Sequence, residues 1–523
     1  MAISAKIPEA TEPPVPTGLG QKALGGAIWT VGQTFGSKLA AIGQQYLLAL
    51  LLMQEDFAPV AIAGFILGFA SFGQQLGVTE ILVRKHRNFA RWAEIAFWLS
   101  LTAGLVGVVG VLAVAPAAAA VFRMPILRPF LVIGAISIPL DAMAGVPMAS
   151  LTKAMRFRTL AVAGTVNVVG TACLTVALAA LHFGAYSLIV PKPIMSLVMA
   201  VIYFGAAGVR LKLRPYISRW RFVFQDSRYF LVMNLFNTFL MQGDYLTSGL
   251  FFSKASLGSY YFAFNASTQT NQMIAGNMNA VLLPSFVRMD SPRRQLDAYV
   301  RICSLIAFVG VPACLLQTAC ARPLFQLLFG HKWDTAIPLF EVLSIGMLFI
   351  LPSGPTVSMM KAQGRFKLLM VWTGCVTFFF LASVLCGALM GSVFTLALGV
   401  TIFYSVAGPV GLLVPVRGQV SAIGLLWRVY GRPVLIGGAA MASGILATVP
   451  IREDTAAGLA LCVAIRIGVT AAIYLAGAAL FMGNDLRETR GIFEMLAARF
   501  TGGRRAAPYA EWAPAAGGGH DRK

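Results

Sequence analysis

The sequence predicts an all-α integral membrane protein with about fourteen transmembrane helices. Hydrophobic residues make up 58% of its 523 residues, and charged residues only 12%. A soluble domain carries roughly 25% charged residues, so about half of the usual charge is missing. The mean hydropathy is +0.76. The apolar residues also occur in repeated runs of about 20, the length that crosses a hydrocarbon core of about 30 Å.

The apolar runs define the predicted helices and domains. The helices are expected at 24–53, 57–80, 92–121, 128–151, 160–181, 184–206, 229–253, 257–287, 299–321, 337–360, 368–390, 393–416, 432–450 and 457–482. The predicted domains are a disordered cytoplasmic tail (1–23), an N-lobe of six helices (24–206), a basic cytoplasmic linker (207–228), a C-lobe of six helices (229–416), two C-terminal helices (417–482) and a basic cytoplasmic tail (483–523).

The basic residues indicate membrane topology and not a nucleic-acid partner. Lys and Arg outnumber Asp and Glu by 41 to 20, but they lie in short clusters between apolar runs instead of on a polar folded domain. Cytoplasmic loops are enriched in Lys and Arg. With the N-terminus placed inside, the inside segments hold 32 of these residues, the outside segments 6, and the spans 3. Both termini are therefore predicted to be cytoplasmic.

A weak internal repeat relates the two lobes. A shift of 200 residues aligns 52–58 with 252–258, and both segments join the first and second spans of a six-span unit. The basic segment 153–158 resembles 361–367, and each follows the fourth span of its unit. Because six crossings are an even number, the two units have the same orientation. Transporters use such parallel repeats to build a central site between two lobes.

Polar residues within the spans predict where a substrate binds. In the eighth span, polar residues recur every three to four positions, which places Asn265, Gln269 and Gln272 on one face. Unsatisfied amides in hydrocarbon are costly, so this face should line a water-filled cavity or pack against another polar helix. The predicted cavity residues are Gln33, Lys38, Gln45, Gln75, Lys192, Asn265, Gln269, Gln272 and Arg466.

Charged residues within the spans are more specific candidates for substrate binding or ion coupling. An ionisable group at bilayer depth costs about 2.5–3.5 kcal/mol on insertion scales, so it normally faces a cavity or a partner. Lys38 lies mid-span beside amides and is a point charge suited to a phosphate. Pro191 and Pro193 flank Lys192 and should interrupt its helix. Three acidic residues are candidates for ion coupling: Asp141, Asp244 and Glu341. For each charge the alternative is structural pairing, for example of Lys192 with Asp141.

Enzyme and metal motifs are absent from the sequence. It contains no GxxxxGK[ST] loop, no HExxH and no CxxC pair, so no catalytic residues, metal site or cofactor are predicted. A membrane-bound glycosyltransferase or ligase would need a sizeable external loop with acidic or catalytic residues. The predicted outside connections are all short, which argues against that class.

Several segments together resemble a known family. They are 54–57 with Gly77 and a basic loop, 155–157, 183–188, 257–261, 283–286, 328–333 with Pro338-Leu339, and 362–365. In order and spacing they resemble Wzx-type oligosaccharide flippases, the polysaccharide transporter branch of the superfamily that also contains multidrug extruders and lipid II flippases. The resemblance covers about residues 24–420. Ala58 departs from it, because the family usually has glycine there.

The resemblance implies two six-helix lobes plus two helices, and alternating access. The implied function is transfer of an undecaprenyl-diphosphate-linked oligosaccharide across the bacterial inner membrane for exopolysaccharide or lipopolysaccharide synthesis. The implied partners are this lipid-linked substrate, membrane lipids, a polysaccharide polymerase and glycosyltransferases. Two alternatives share the fold. An ion-coupled multidrug extruder would use the acidic residues, and a lipid II flippase would need more arginine in the first two spans.

The charge asymmetry generates a topology prediction. Reporter fusions after Arg158, Arg221 and Arg365 should report the cytoplasm, and fusions near His182 and Trp333 should report the periplasm. Activity of a periplasm-specific and a cytoplasm-specific reporter at each position measures this. Opposite signals at two or more positions would contradict the predicted topology.

Overall fold

The computed structural model describes residues 36–71, 89–154, 156–208, 220–274, 278–289, 291–416, 418–451, 455–483 and 487. The helices are α1 (36–51), α2 (Gln54–Ala70), α3 (Phe89–Val121), α4 (Leu127–Ala135), α5 (Ser137–Lys153), α6 (Phe157–Ala180), α7 (Tyr186–Ile189), α8 (Pro191–Ala207), α9 (Trp220–Phe251), α10 (Lys254–Ile274), α11 (Met278–Val287), α12 (Pro292–Ala319), α13 (Ala321–Phe329), α14 (Ile337–Ile350), α15 (Thr356–Ala362), α16 (Phe366–Leu389), α17 (Val393–Leu413), α18 (Ala422–Leu426), α19 (Arg432–Thr448) and α20 (Ala456–Phe481). Short 3₁₀ segments lie at Asp334–Ala336 and Leu351–Ser353, and a π-helical turn lies at Trp427–Gly431.

Within the described residues, ten segments are long and apolar enough to cross a membrane, from Ala93–Val121 to Ala456–Phe481. The helices α1, α2, α9 and α10 are not among the ten. The described part of α1 and all of α2 are shorter than the roughly 20 residues that cross a hydrocarbon core, while α9 and α10 carry many polar residues. The prediction of an all-α membrane fold is confirmed, and the number of fourteen spans stays a prediction.

The two six-helix units repeat the same backbone pattern. A tight turn at 52–53 joins α1 to α2, and an equivalent turn at 252–253 joins α9 to α10. In each unit the third helix packs against the fourth, and the fourth against the sixth. The two turns lie at one end of the bundle, where the lobes join, and this end is called the closed end. The opposite end, with 153–158 and 361–367, is called the basic end.

An equivalent pair of arginines occupies the basic end of the two lobes. Arg156 and Arg365 precede the fifth helix of their units, with nearly the same backbone angles (φ −81°, ψ 56° and φ −85°, ψ 52°). The Arg156 guanidinium donates to the Ala206 carbonyl (3.0 Å), and that of Arg365 to the Pro415 carbonyl (3.5 Å). Each arginine therefore ties the start of a fifth helix to the end of a sixth.

The lobes meet mainly through α2, which packs against α9 and α10. Two glycines on α2, Gly64 and Gly68, lie against the Gln242 side chain of α9. Small residues at i and i+4 let membrane helices approach closely. Phe65 and Phe69 add edge-to-face contacts with Phe239 of α9 (centroids 5.4 and 6.2 Å). The two helices outside the repeat, α19 and α20, pack on each other, and both contact α12.

Two element boundaries test the sequence-based expectations. The predicted disruption at Pro191 and Pro193 is limited to one residue: α7 ends at Ile189 and α8 begins at Pro191, and Val190 between them keeps helical backbone angles (φ −61°, ψ −38°). Proline is well suited to the first turn of a helix, where its missing N–H needs no partner. The helix α9 begins at Trp220, within the segment predicted as a linker. A helix satisfies the hydrogen bonds of its own backbone, so it need not end where its apolar residues end.

Candidate substrate cavity

The lobes are joined at the closed end by a set of hydrogen bonds. The Lys332 ammonium donates to the Ala49 and Leu50 carbonyls of α1 (3.0 and 2.8 Å). The Trp333 indole N–H donates to the same Ala49 carbonyl (3.0 Å). In return the Gln54 amide donates to the Lys332 carbonyl (2.6 Å). Partial burial lowers the pKa of Lys332, and the nearby Asp56 carboxylate opposes that shift.

On the face of α10 that carries Asn265, Gln269 and Gln272, exposure rises from the closed end toward the basic end. Tyr260 is fully buried and Phe262 is 3% exposed, whereas Asn265 and Gln269 are half-buried and Gln272 is exposed. This pattern is the one expected of a polar helix face that lines a space between the lobes. The region between α1 and α10 toward the basic end is called the cleft.

Two of the predicted cavity amides meet across the lobe boundary. The Gln269 amide donates to the Gln45 side-chain oxygen (3.1 Å), so α10 of the C-lobe contacts α1 of the N-lobe inside the cleft. Lys38 lies seven residues before Gln45, two helical turns nearer the basic end on the same face of α1. Its side chain is half-buried, and among the described residues no carboxylate lies within ion-pair distance of its ammonium.

Asn265, a second predicted cavity residue of α10, makes its side-chain hydrogen bonds within the C-lobe. The Asn265 amide donates to the Tyr261 carbonyl (2.8 Å) and to the Tyr245 hydroxyl (3.4 Å).

Gln317 of α12 was missed by sequence reasoning, although it is an amide within an apolar run. Its side-chain oxygen accepts from the Thr270 hydroxyl (2.6 Å), and its amide donates to the Ala266 carbonyl (3.3 Å). These bonds hold α10 against α12.

Asp244 of α9 is fully buried inside the C-lobe. Its Oδ2 accepts a hydrogen bond from the Tyr260 hydroxyl (2.7 Å). Its Oδ1 has no hydrogen-bond partner among the described residues. The rings of Tyr245 and Tyr260 lie edge to face beside it (6.0 Å), and Tyr404 is within electrostatic range. The site is a carboxyl group with one open oxygen, surrounded by phenols.

The N-lobe carries a different polar pair. Asp141 of α5 accepts a hydrogen bond from the Ser196 side chain of α8 and lies within electrostatic range of Lys192. Both Asp141 and Lys192 are exposed. The attraction between them agrees with the alternative of structural pairing.

Arg466 and Glu341 lie near the closed end. The Arg466 guanidinium donates to the Ala319 carbonyl at the end of α12 (2.6 Å) and to the Thr448 hydroxyl at the end of α19 (3.0 Å). Glu341 lies within electrostatic range of Arg322 and Arg466. Arg466 thus links α20 to two helix ends, and the carboxylate of Glu341 has cationic neighbours. Two predicted cavity residues, Gln33 and Gln75, lie outside the described residues.

A family model matches this chain over residues 47–338, which is more than half of its length, and describes a polysaccharide biosynthesis protein. The chain belongs to this family. It is 26% identical to the succinoglycan biosynthesis transport protein ExoT of Rhizobium meliloti (strain 1021), over 65% of this chain and 68% of that protein. It is 22% identical to the lipopolysaccharide biosynthesis protein WzxC of Escherichia coli (strain K12), over 73% of this chain and 78% of that protein.

A solved structure has the same fold. It is the lipid II flippase MurJ in an inward closed conformation, with a TM-score of 0.73 and 13% identity, covering 87% of this chain and 99% of that chain. The family, the relatives and the ten apolar spans together identify a multi-pass membrane protein of the polysaccharide biosynthesis family. The predicted resemblance to polysaccharide transporters is confirmed.

The exposure gradient generates an accessibility prediction. Single cysteines at Gln272 and Gln269, in a background without native cysteines, should react with a membrane-impermeant thiol reagent added from the basic end. Gln272→Cys should react faster, because its position is exposed and that of Gln269 is half-buried. Ser267→Cys is a nearly isosteric control on the same helix, at a position that is 0% exposed. Mass-spectrometric labelling rates measure this, and equal rates at all three positions would mean that α10 does not line a cleft.

Proposed function

We propose that this protein is a flippase that moves an undecaprenyl-diphosphate-linked oligosaccharide across the bacterial inner membrane by alternating access, for surface or exopolysaccharide synthesis. The observation that carries this proposal is the contact between the lobes, where Gln45 and Gln269 bond each other and Trp333 joins the lobes at one end. Its membership in the polysaccharide biosynthesis family supplies the substrate class.

The chemistry of the cleft suits a diphosphate-sugar headgroup. Amides such as Gln269 and Gln272 donate and accept hydrogen bonds, as sugar hydroxyls require. Lys38 supplies a positive charge near the same face. A compensating charge matters most where the dielectric constant is low. Two opposite unit charges about 4 Å apart attract by roughly 4 kcal/mol at an effective dielectric constant of about 20.

The two alternative functions share this architecture. The names of the relatives, which belong to succinoglycan and lipopolysaccharide synthesis, favour a polysaccharide intermediate over lipid II or a drug. Because Asp244 is a buried carboxyl group, we include ion coupling in the proposal.

The membrane setting follows from the charge asymmetry of the sequence. We propose that both termini are cytoplasmic, so that the closed end is periplasmic and the cleft is accessible from the leaflet where the substrate is made. A polysaccharide polymerase and glycosyltransferases are the proposed partners in the pathway. Neighbouring genes that encode them would support this part of the proposal.

Lys38→Ala should lower the rate of flipping by on the order of 10²- to 10³-fold, because the headgroup loses its compensating charge at low dielectric. Lys38→Arg should retain part of the activity, since it keeps the charge with a different geometry. Lys367→Ala, at an exposed lysine of the basic end, is the matched control and should behave as wild type. Surface polysaccharide in cells that depend on each variant measures this.

Immunoblotting of the membrane fraction separates the headgroup role from a structural one. If Lys38 served to stabilise the fold, Lys38→Ala would reduce the protein band. A normal band together with normal polysaccharide in Lys38→Ala would refute the headgroup role.

For ion coupling we propose that Asp244 binds the coupling proton or cation. An isolated ionised carboxylate in an apolar interior is expensive, so a fully buried carboxyl with one open oxygen favours an added proton or cation. Asp141 and Glu341 are weaker candidates, because each lies near a basic side chain.

Asp244→Asn should keep the hydrogen bond from Tyr260 through the amide oxygen but remove the titratable group. We expect a folded protein whose transport into proteoliposomes no longer responds to an imposed proton or sodium gradient. Glu341→Gln is the control and should keep the response. An unchanged gradient response in Asp244→Asn would exclude this site as the coupling group.

A further inference from the structure

Helix α1 ends inside the lobe boundary with carbonyls that its own backbone does not satisfy. The last four carbonyls of a helix lack intrahelical donors, and they carry the partial negative charge of the helix C-terminus. The Leu48 carbonyl accepts from the Leu52 N–H (2.8 Å) at the turn that follows. The Ala49 and Leu50 carbonyls accept from Lys332 and Trp333 instead, and both donors belong to the other lobe. A lysine ammonium is the favoured side chain at a helix C-terminus.

The start of α2 completes the contact from the N-lobe side. The Gln54 amide donates to the Lys332 carbonyl and to the Thr335 hydroxyl (3.2 Å). Gly258 lies directly against the Gln54 carbonyl, so close that any Cβ at this position would collide with backbone. The three residues that exchange these bonds, Gln54, Lys332 and Trp333, are called the interlobe latch.

Aromatic packing joins the two lobes beside the latch. The Trp333 ring is fully buried, stacks on Phe262 (centroids 4.1 Å apart, 28°) and meets the edge of Phe57 (5.6 Å, 71°). Phe57 belongs to the N-lobe, whereas Phe262 and Trp333 belong to the C-lobe. These three buried rings bring the two lobes into contact beside the latch, and Phe262 lies one helical turn before the cleft residue Asn265 on α10.

The latch is suited to repeated opening. Its polar bonds run to carbonyls at the end of the bundle, where water can replace the lost donors once the lobes part. Opening therefore leaves no buried polar group without a partner, unlike the loss of a hydrogen bond at the midplane. Closing restores the charge-assisted bonds of one ammonium to two carbonyls, and such bonds are stronger than neutral ones.

We propose that Lys332 is a positioning residue that sets the equilibrium between the closed and open states of this end, by capping helix α1 of the opposite lobe. This inference rests on the alternating access of the proposed function. It also assigns a role to two sequence segments, 54–57 and 328–333, which are far apart in the chain and form the two halves of one gate.

The test measures the distance between the lobes directly. Spin labels at Leu181 of the N-lobe and Met390 of the C-lobe, both 66% or more exposed at the closed end, report lobe separation by double electron–electron resonance. The exposed native cysteines 173, 375 and 386 are replaced, and the full-length protein is reconstituted without substrate. Lys332→Met keeps the apolar stem and removes the ammonium. We expect the ratio of long-distance to short-distance populations to rise about tenfold or more.

Matched variants distinguish gating from general damage. Lys332→Arg should restore the wild-type distribution, since it keeps the cation and its donors. Lys254→Met removes an exposed lysine from the same end and should change nothing. A label pair within the N-lobe, at Pro125 and Leu181, should keep its distance in every variant. Gly258→Ala, which forces backbone apart at the latch, should widen the distance between the lobes if Lys332→Met folds poorly.

The outcomes separate this inference from the proposed function. An unchanged interlobe distance in folded Lys332→Met and Gly258→Ala would overturn the gate, whatever the substrate is. A widened distance in these variants together with normal polysaccharide in Lys38→Ala would leave the gate standing and overturn the headgroup role.

Discussion

The rest of the structure depends on one constraint: a polar group inside the bilayer must find its partner within the protein. At the closed end of the bundle, polar groups are likewise paired across the lobe boundary, since Lys332 and Trp333 of one lobe donate to the carbonyls of Ala49 and Leu50 in the other. The bond between Gln45 and Gln269 follows the same rule deeper in the cleft. Whether the lobes are closed or open therefore depends on which polar groups bond each other and which bond water.

The two lobes keep their own shape by local means. Arg156 and Arg365 each tie a fifth helix to a sixth at the basic end, with the same backbone conformation. Within the C-lobe, Gln317 fastens α10 to α12. The contacts within a lobe are thus distinct from those between lobes. This separation is what rigid-body motion of one repeat against the other requires.

The charged residues of the membrane-spanning helices differ in their surroundings. Arg466 is bound to the ends of α12 and α19, and Glu341 lies near it, so both belong to the packing of the closed end. Lys38 has a different setting, on the face of α1 that carries Gln45. Asp244 is enclosed by phenols with one oxygen open. These differences in surroundings, and not the residue types alone, separate a structural charge from a candidate for substrate or ion binding.

The sequence by itself determined the all-α membrane fold, the parallel repeat and the polar face of the eighth span, because apolar run length, charge asymmetry and helical periodicity are local properties. It also placed Gln45 and Gln269 among the cavity residues. Only the tertiary structure decided that these two bond each other, that Asn265 turns to Tyr245 inside its own lobe, and that Lys332 caps α1. The partners in the latch are separated by up to 284 residues. Such pairings depend on how the helices pack across the lobe boundary, and no periodicity along the chain encodes which helix end will face which side chain.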